Sequence, residues 1–266
     1  MTAAGTAPLA ASRLRRWVRG ARTWRTRIPL RALLTIHRGL CPICERKTLF
    51  VKASQWLRDD YYCTRCFSIP RFRALLRVLD QHFPDWRNLH IHESSPAGAA
   101  SDKLSRECRH YVPTYLFPGV EPGAMHDGYR CEDLGAQTFG DGVFDLVVTQ
   151  DVFEHVLDPA RAFAEVARTL KPGGAHVFTV PWYYWKATVV RAHHDRGQVV
   201  HDHEPQYHGN PIDPRGSLVV TEWGFDLCEY VRRCCGMHTT VEHLFDPGQG
   251  ICGEFREVFV SRRVAV

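Results

Sequence analysis

Several things are scarce in this chain, and each scarcity excludes something. No apolar run approaches the roughly 20 residues that a membrane-spanning helix needs. The first forty residues lack the uninterrupted apolar stretch of a secretory signal. They also contain no Asp or Glu, against nine arginines at positions 13, 15, 16, 19, 22, 25, 27, 31 and 38. Beyond them the balance reverses: 25 of the 34 basic residues face all 29 acidic ones, so the body is about −4 although the whole chain is +5. A body of that sign offers no obvious basic stripe for reading nucleic acid.

In the basic segment Trp17, Val18, Trp24, Ile28, Leu30, Leu33 and Leu34 are interleaved with the arginines. That mixture suits an anionic membrane surface, the phosphates of RNA, or a transit peptide, and equally a solvated, partly helical extension. Residues 1–38 therefore read as a basic N-terminal extension. The remaining length holds one large domain or one and a half, and a hydrophobic content of 44% supports a sizeable core.

Ten cysteines without a secretory signal point to metal binding in a reducing compartment, so the expected location is cytoplasmic, with peripheral membrane contact through the basic segment. Cys41-Pro-Ile-Cys44 and Cys63-Thr-Arg-Cys66 stand 18 residues apart. Each pair aims two sulfurs at one point, and two pairs supply the four thiolates of a tetrahedral Zn²⁺ site. A four-sulfur shell leaves no open position, so the metal reads as structural. Cys108, Cys131, Cys228, Cys234, Cys235 and Cys252 are scattered and read as core or near-core thiols. Short strands are expected at 48–51 and 61–62, and Pro70 opens a helix with Phe72, Leu75, Leu76 and Leu79 on its apolar side. Residues 39–83 thus form a zinc ribbon with a linking helix, and 84–266 a larger domain.

Phe144, Leu146, Val147 and Val148 form the nearly continuous apolar run of a strand covered on both faces. Asp158 is a suitable N-cap and Pro159 fits the first helical position. Phe163, Val166, Ala167 and Leu170 follow at i, i+3, i+4, i+7, and Pro172 with Gly173 or Gly174 is expected to end the helix before a strand at 175–180. This β–α–β unit sets Gln150, Asp151 and Glu154-His155 at the carboxyl end of its first strand, where open α/β sheets bind ligands.

The stretch DLGAQTFGDGVFDLVVTQDVFEHVLDPARAFAEVARTLKPGGAHVFTVP resembles the second half of a class I S-adenosylmethionine-dependent methyltransferase, and the likeness extends over residues 89–262. It implies an α/β, Rossmann-like sheet, mostly parallel with one antiparallel strand, preceded by a small zinc ribbon as in some members of that family. A helix on Phe225, Cys228 and Val231 would end near Gly236, and strands at 239–245 and 257–262 would close the sheet.

The resemblance also implies a site for S-adenosylmethionine. Leu89 to His92 would be the first strand, and "LHIHESSPAGAASDKL" looks like a family variant with an acidic, proline-containing turn. Glu93 would face the cofactor's ammonium, Ser94 and Ser95 would donate hydrogen bonds, and Gly98 is the one glycine left where the family's turn is glycine-rich. Asp133 would meet the adenine amine with Leu134 supplying backbone, and Gln150 would lie near the transferred methyl. The family's acid at the end of the second strand is missing. Tyr115 stands there, so either Glu121 substitutes, or ribose binding is weaker, or the cofactor differs.

Asp151, His155 and His208 are the catalytic candidates, the histidines as bases. The segment 181–213 carries Trp182, Tyr183, Tyr184 and Trp185, then His193, His194, His201, His203 and His208. It would cover the pocket, its aromatic rings stacking on a sugar or a base. His201-Asp-His203 lacks a third metal ligand at helical spacing. The expected activity is methyl transfer to an oxygen of a saccharide or small metabolite. Two other readings stand beside it: ribosomal or transfer RNA methylation, with the basic segment on phosphate, and a non-catalytic binding protein on a degenerate methyltransferase fold.

Overall fold

A computed structural model of the protein describes residues 36–209 and 215–265. The basic segment up to residue 35, with the membrane and RNA contacts expected of it, lies outside the described residues, as does part of the covering segment at 210–214. Three antiparallel strands open the described chain: β1 (Ile36–Cys41), β2 (Arg46–Lys52) and β3 (Tyr61–Cys63). Ile36 pairs with Val51 and Arg38 with Leu49, so the ribbon begins inside the stretch read as extension. Between β2 and β3 runs one helical turn, α1 (Leu57–Asp60), and α2 (Pro70–His82) follows with Pro70 at its start.

The main sheet comprises β4 (His90–Ser94), β5 (His110–Tyr115), β6 (Met125–His126), β7 (Tyr129–Cys131), β8 (Phe144–Gln150), β9 (Leu170–Thr179), β17 (His238–Glu242) and β18 (Val258–Arg262). Their order is β17-β18-β9-β8-β4-β5-β7-β6. The neighbours from β9 through β8, β4 and β5 to β7 pair in parallel, while β18 runs antiparallel to both β9 and β17. The chain starts at β4, moves outward through β5 to β7, then returns to β8 on β4's other side. That reversal is a topological switch point, and it opens a crevice at the carboxyl ends of β4 and β8. The architecture is the expected α/β Rossmann-like sheet, mostly parallel with a reversed strand near one edge.

Successive residues of β8 point to opposite faces. Leu146 and Val148 enter a core shared with α2 and α3 (Gly98–Glu107), whereas Val147 enters one shared with α4 (Pro159–Thr169) and α5 (Leu227–Cys235). Helices thus cover both faces, which is why Leu146, Val147 and Val148 of β8 are all apolar. The first core also holds Cys41, Phe50, Tyr61 and Cys63, so ribbon and sheet share one interior across the 83/84 position. Arg73 of α2 fastens them: fully buried, it donates to the Tyr61 carbonyl at 2.9 Å and the Gly250 carbonyl at 2.7 Å.

Asp158 caps α4 by accepting from the Arg161 amide at 3.0 Å. The helix stops at Thr169, and Leu170 already pairs with Phe144. The Lys-Pro-Gly-Gly stretch therefore forms an irregular strand entry instead of a helix cap, with Gly173 at φ +79°. The helix expected from Phe225 starts at Leu227 and ends before Gly236 at φ +72°; Phe225 itself is exposed. Between β9 and α5, short strands β10 (Trp182–Tyr183), β11 (Val189–Val190), β12 (Ala192–Asp195), β13 (Gln198–His201), β14 (Tyr207–His208), β15 (Ser217–Leu218) and β16 (Thr221–Gly224) build a covering layer.

Candidate active site

A cleft of about 1420 Å³ opens where the switch point requires it. Ser94 and Ser95 line it from the end of β4, Tyr115 from β5, Asp133 and Leu134 from the segment after β7, and Gln150 and Asp151 from β8. Tyr183, His194 and His208 come from the covering layer and His155 from the short turn after β8.

Glu93 is absent from this wall. It is fully buried beneath it, its carboxylate accepting from Gln150 Nε2 at 2.7 Å, Ser101 Oγ at 2.7 Å and Tyr111 Oη at 2.5 Å. Burial pushes its carboxyl above the ordinary range, although the three donors pull the other way. The acid expected to meet a ligand's ammonium is therefore a support. It fixes Gln150 with the amide nitrogen turned inward. The Gln150 Oε1 atom is left buried with no hydrogen-bond partner. A buried acceptor in that state costs stability until a donor reaches it.

Gly98 is likewise not a lining residue. A Cβ there would fall 2.2 Å from the Phe72 ring, so its smallness serves the close approach of α3 to α2. The turn expected to rely on glycine is held by side chains instead. Ser101 Oγ receives the Ala97 amide at 2.9 Å, and the Tyr115 hydroxyl donates to the Pro96 carbonyl. Ser95 accepts the strained backbone, at φ +55°. Glu121 is exposed and off the cleft, so it does not replace the missing acid. Glu132 does line the cleft, but its oxygens are taken by Arg130 Nε at 2.6 Å and by Thr138 N and Oγ1 at 2.8 and 2.5 Å. Asp133 is exposed and lines the cleft, with Oδ1 accepting from the Gly135 amide at 2.8 Å.

Asp151 is clamped. Arg58 Nη2 reaches it at 2.6 Å, Arg71 Nε at 3.1 Å and Thr179 Oγ1 at 3.0 Å. Burial would raise its carboxyl, but the two guanidiniums outweigh burial and hold it at about 2. An acid held ionised at that level is a poor base near neutral pH, so Asp151 anchors the wall and leaves the candidate catalytic set. Trp56, Arg58, Asp59 and Arg71 bring the ribbon layer into the cleft, which the sequence did not suggest. Their place depends on how α1 and α2 dock, and no local pattern marks that.

His155 and His208 are together, ring centroids 5.2 Å apart and edge to face. His155 Nδ1 donates to the Leu218 carbonyl at 2.8 Å, since a carbonyl only accepts; its Nε2 is therefore the acceptor. Burial pulls His155 down to about 4 and lowers His208. Beside them Glu154 is 1% exposed, and neither of its carboxylate oxygens has a hydrogen-bond partner. Of the aromatic quartet, Tyr183 lines the cleft, Trp182 donates to the Gly224 carbonyl at 2.7 Å, and Tyr184 and Trp185 are exposed.

Cys41 and Cys66 sulfurs lie 3.7 Å apart and Cys44 and Cys63 sulfurs 3.9 Å, all four within 4.8 Å. Tetrahedral ligation at about 2.3 Å separates sulfurs by about 3.8 Å, so the donor set fits zinc. Burial and then the neighbouring Cys41 and Cys63 charges push the Cys44 thiol up to about 11, the expected cost of gathering thiolates without a cation.

Residues 101–178 match a family described as a methyltransferase domain. A ubiquinone biosynthesis O-methyltransferase of Coxiella burnetii (strain Dugway 5J108-111) is 30% identical over 32% of this chain and 42% of its own length. A sarcosine/dimethylglycine N-methyltransferase of Halorhodospira halochloris is 49% identical over 16% of this chain and 15% of its own length. The chain thus spans less than half the length of these curated relatives. Among solved structures, CalS10, an amino pentose methyltransferase from Micromonospora echinaspora, superposes with a TM-score of 0.47 at 15% identity, over 74% of this chain and 92% of that one. A methyltransferase from Mesorhizobium loti gives 0.47 at 17% identity, over 71% and 98%.

Proposed function

We propose that this protein transfers a methyl group from S-adenosylmethionine to an oxygen of a saccharide or small metabolite, with a structural zinc ion in its ribbon. The observation that carries the reading is the buried, unpartnered Gln150 Oε1 at the switch point, fixed from behind by Glu93. An acceptor held there suits an ammonium or amine donor. Ser94, Ser95, Asp133 and Leu134 form the remaining polar wall on that side. The methyltransferase-domain match over 101–178 supports the same reading.

S-adenosylmethionine, when bound, supplies an electrophilic methyl on sulfur. The chain's own residues then have two tasks. The first is alignment in a site sheltered from water, a task for the covering layer and Tyr183. The second is acceptance of the hydroxyl proton from the methyl acceptor. His155 Nε2 and His208 are neutral, sit on the cleft, and suit that task. Cys41, Cys44, Cys63 and Cys66 would hold zinc, keeping β1 to β3 folded so that α1 reaches the cleft.

Thermal unfolding with and without S-adenosylhomocysteine tests the proposal. A ligand that binds the native state alone raises apparent stability by about 2.7 kcal/mol at a hundredfold excess over its Kd. A shift in melting temperature is expected. An unchanged melting temperature at millimolar S-adenosylhomocysteine overturns the assignment and leaves a binding protein on this fold.

A further inference from the structure

We propose that Glu154, His155 and His208 form a divalent metal site on the wall of the cleft, separate from the four-cysteine cluster. One ligand atom from each lies within 4.8 Å of the others, and His155 Nε2 stands 3.7 Å from Glu154 Oε1. Ligands at about 2.0–2.2 Å from one ion stand roughly 3–4 Å apart, so a small contraction completes the set.

Three observations favour a cation there. First, both Glu154 oxygens are buried and unpartnered, an arrangement that a bound proton or a bound cation would relieve. Second, the nearby arginines act on Glu154 only at a distance and make no hydrogen bond or ion pair with it among the described residues. Arg58 and Arg71 each pair with both Asp151 and Asp59, and neither pairs with Glu154. Third, His155 is prepared as a ligand. The Leu218 carbonyl accepts from Nδ1–H at 2.8 Å and leaves the Nε2 lone pair available 3.7 Å from Glu154 Oε1, the outer-shell arrangement that orients metal-binding imidazoles.

Two imidazoles and one carboxylate suit a first-row ion such as Zn²⁺, Fe²⁺, Co²⁺ or Mn²⁺, and three protein ligands leave positions open. Because His155 and His208 line the cleft, those positions face it. The acceptor class follows, and this half of the inference rests on the methyl-transfer reading. It would carry two adjacent oxygens, as a vicinal diol or catechol does, able to chelate the ion. With both imidazoles ligating the ion neither serves as base, and the bound, acidified hydroxyl loses its proton to water. Its oxygen lone pair then forms the O–CH₃ bond while the S–CH₃ bonding pair passes to sulfur, leaving a thioether.

The test titrates the full-length protein, its ribbon loaded with zinc, with Co²⁺. The expected result is visible d–d absorption saturating at one Co²⁺ per chain, with zinc retained and no thiolate charge-transfer band. Glu154→Gln and His208→Ala are expected to lose those bands while keeping zinc and the thermal shift with S-adenosylhomocysteine, which shows them folded. No Co²⁺ bands at millimolar metal, or the same titration in both variants, overturns the site. Co²⁺ binding in a protein that shows no shift with S-adenosylhomocysteine would sink the methyl-transfer reading and leave the metal site standing.

Discussion

Glu93 and Gln150 meet end to end across adjacent strands, Gln150 Nε2 donating to Glu93 Oε1 at 2.7 Å. The contact decides which end of the amide faces the cleft. An ionised carboxylate accepts and does not donate, so the nitrogen turns toward it and Oε1 is left buried without a partner. Gln150→Ala removes that acceptor and is expected to weaken S-adenosylhomocysteine binding roughly five- to tenfold, the equivalent of about 1 kcal/mol for one hydrogen bond. Asp133→Ala is expected to weaken it to a similar extent. Isothermal titration measures both, and unchanged affinity in both variants places the ligand elsewhere.

Much of this was legible beforehand because it is local. Val147 with its apolar neighbours, the Asp158 cap and the paired cysteines are each defined by a few consecutive residues, and each reappears as an element or a cluster. The misreadings concern which way a side chain faces after docking. Glu93 sits at the strand end the sequence indicated, yet Tyr111 from the neighbouring strand captures it from behind. Gly98 answers to Phe72, twenty-six positions earlier, and Arg58 and Arg71 reach Asp151 only because the ribbon packs on the sheet. Periodicity reports one element's faces and is silent on what another element brings to them.

The ribbon's contribution to the cleft makes zinc removal a test of coupling. A strong chelator, or Cys63→Ser, is expected to release zinc and unfold β1 to β3, because structural zinc in small modules supplies folding free energy directly. Trp56, Arg58 and Arg71 then lose their positions on the cleft wall. Affinity for S-adenosylhomocysteine should fall together with zinc content measured by atomic absorption. Full affinity in zinc-free protein would show that the ribbon is a passenger.

Asp151 holds two buried guanidiniums and sits at φ +53°. Asn tolerates that backbone region, so Asp151→Asn isolates the charge. Breaking a buried pair by removing one partner leaves the other charge uncompensated and is expected to cost about 3 kcal/mol. Denaturant unfolding of the variant measures it, and a loss below about 1 kcal/mol would mean that Arg58 and Arg71 are solvated in solution.

The pH dependence of stability follows from buried groups of both signs. Burial holds His92 and His176 near 3, far below the ordinary value of about 6.5. The unfolded chain therefore binds protons at these two sites below about pH 6.5 that the folded chain refuses. Their stabilisation is complete above that pH and is lost as the pH falls toward 3. Glu93, pushed upward by burial, works oppositely, since above about pH 4.5 the folded chain keeps a proton that the unfolded chain releases. His155 and Glu154 shift in opposing senses. From 6.5 to 4.5 the two histidines make stability fall as the pH is lowered, and Glu93 opposes part of that loss. Below 4.5 Glu93 no longer opposes, and Asp151, held at about 2, adds its own loss as the pH falls through 3.8. The slope there should steepen. Glu93→Gln removes the opposing group, so its loss as the pH falls toward 4.5 should be steeper than that of the parent chain. Urea midpoints measured across this range in both proteins read the slopes directly. Equal slopes above pH 4.5 would show that the Glu93 carboxyl titrates normally and that its burial behind Gln150 is wrong.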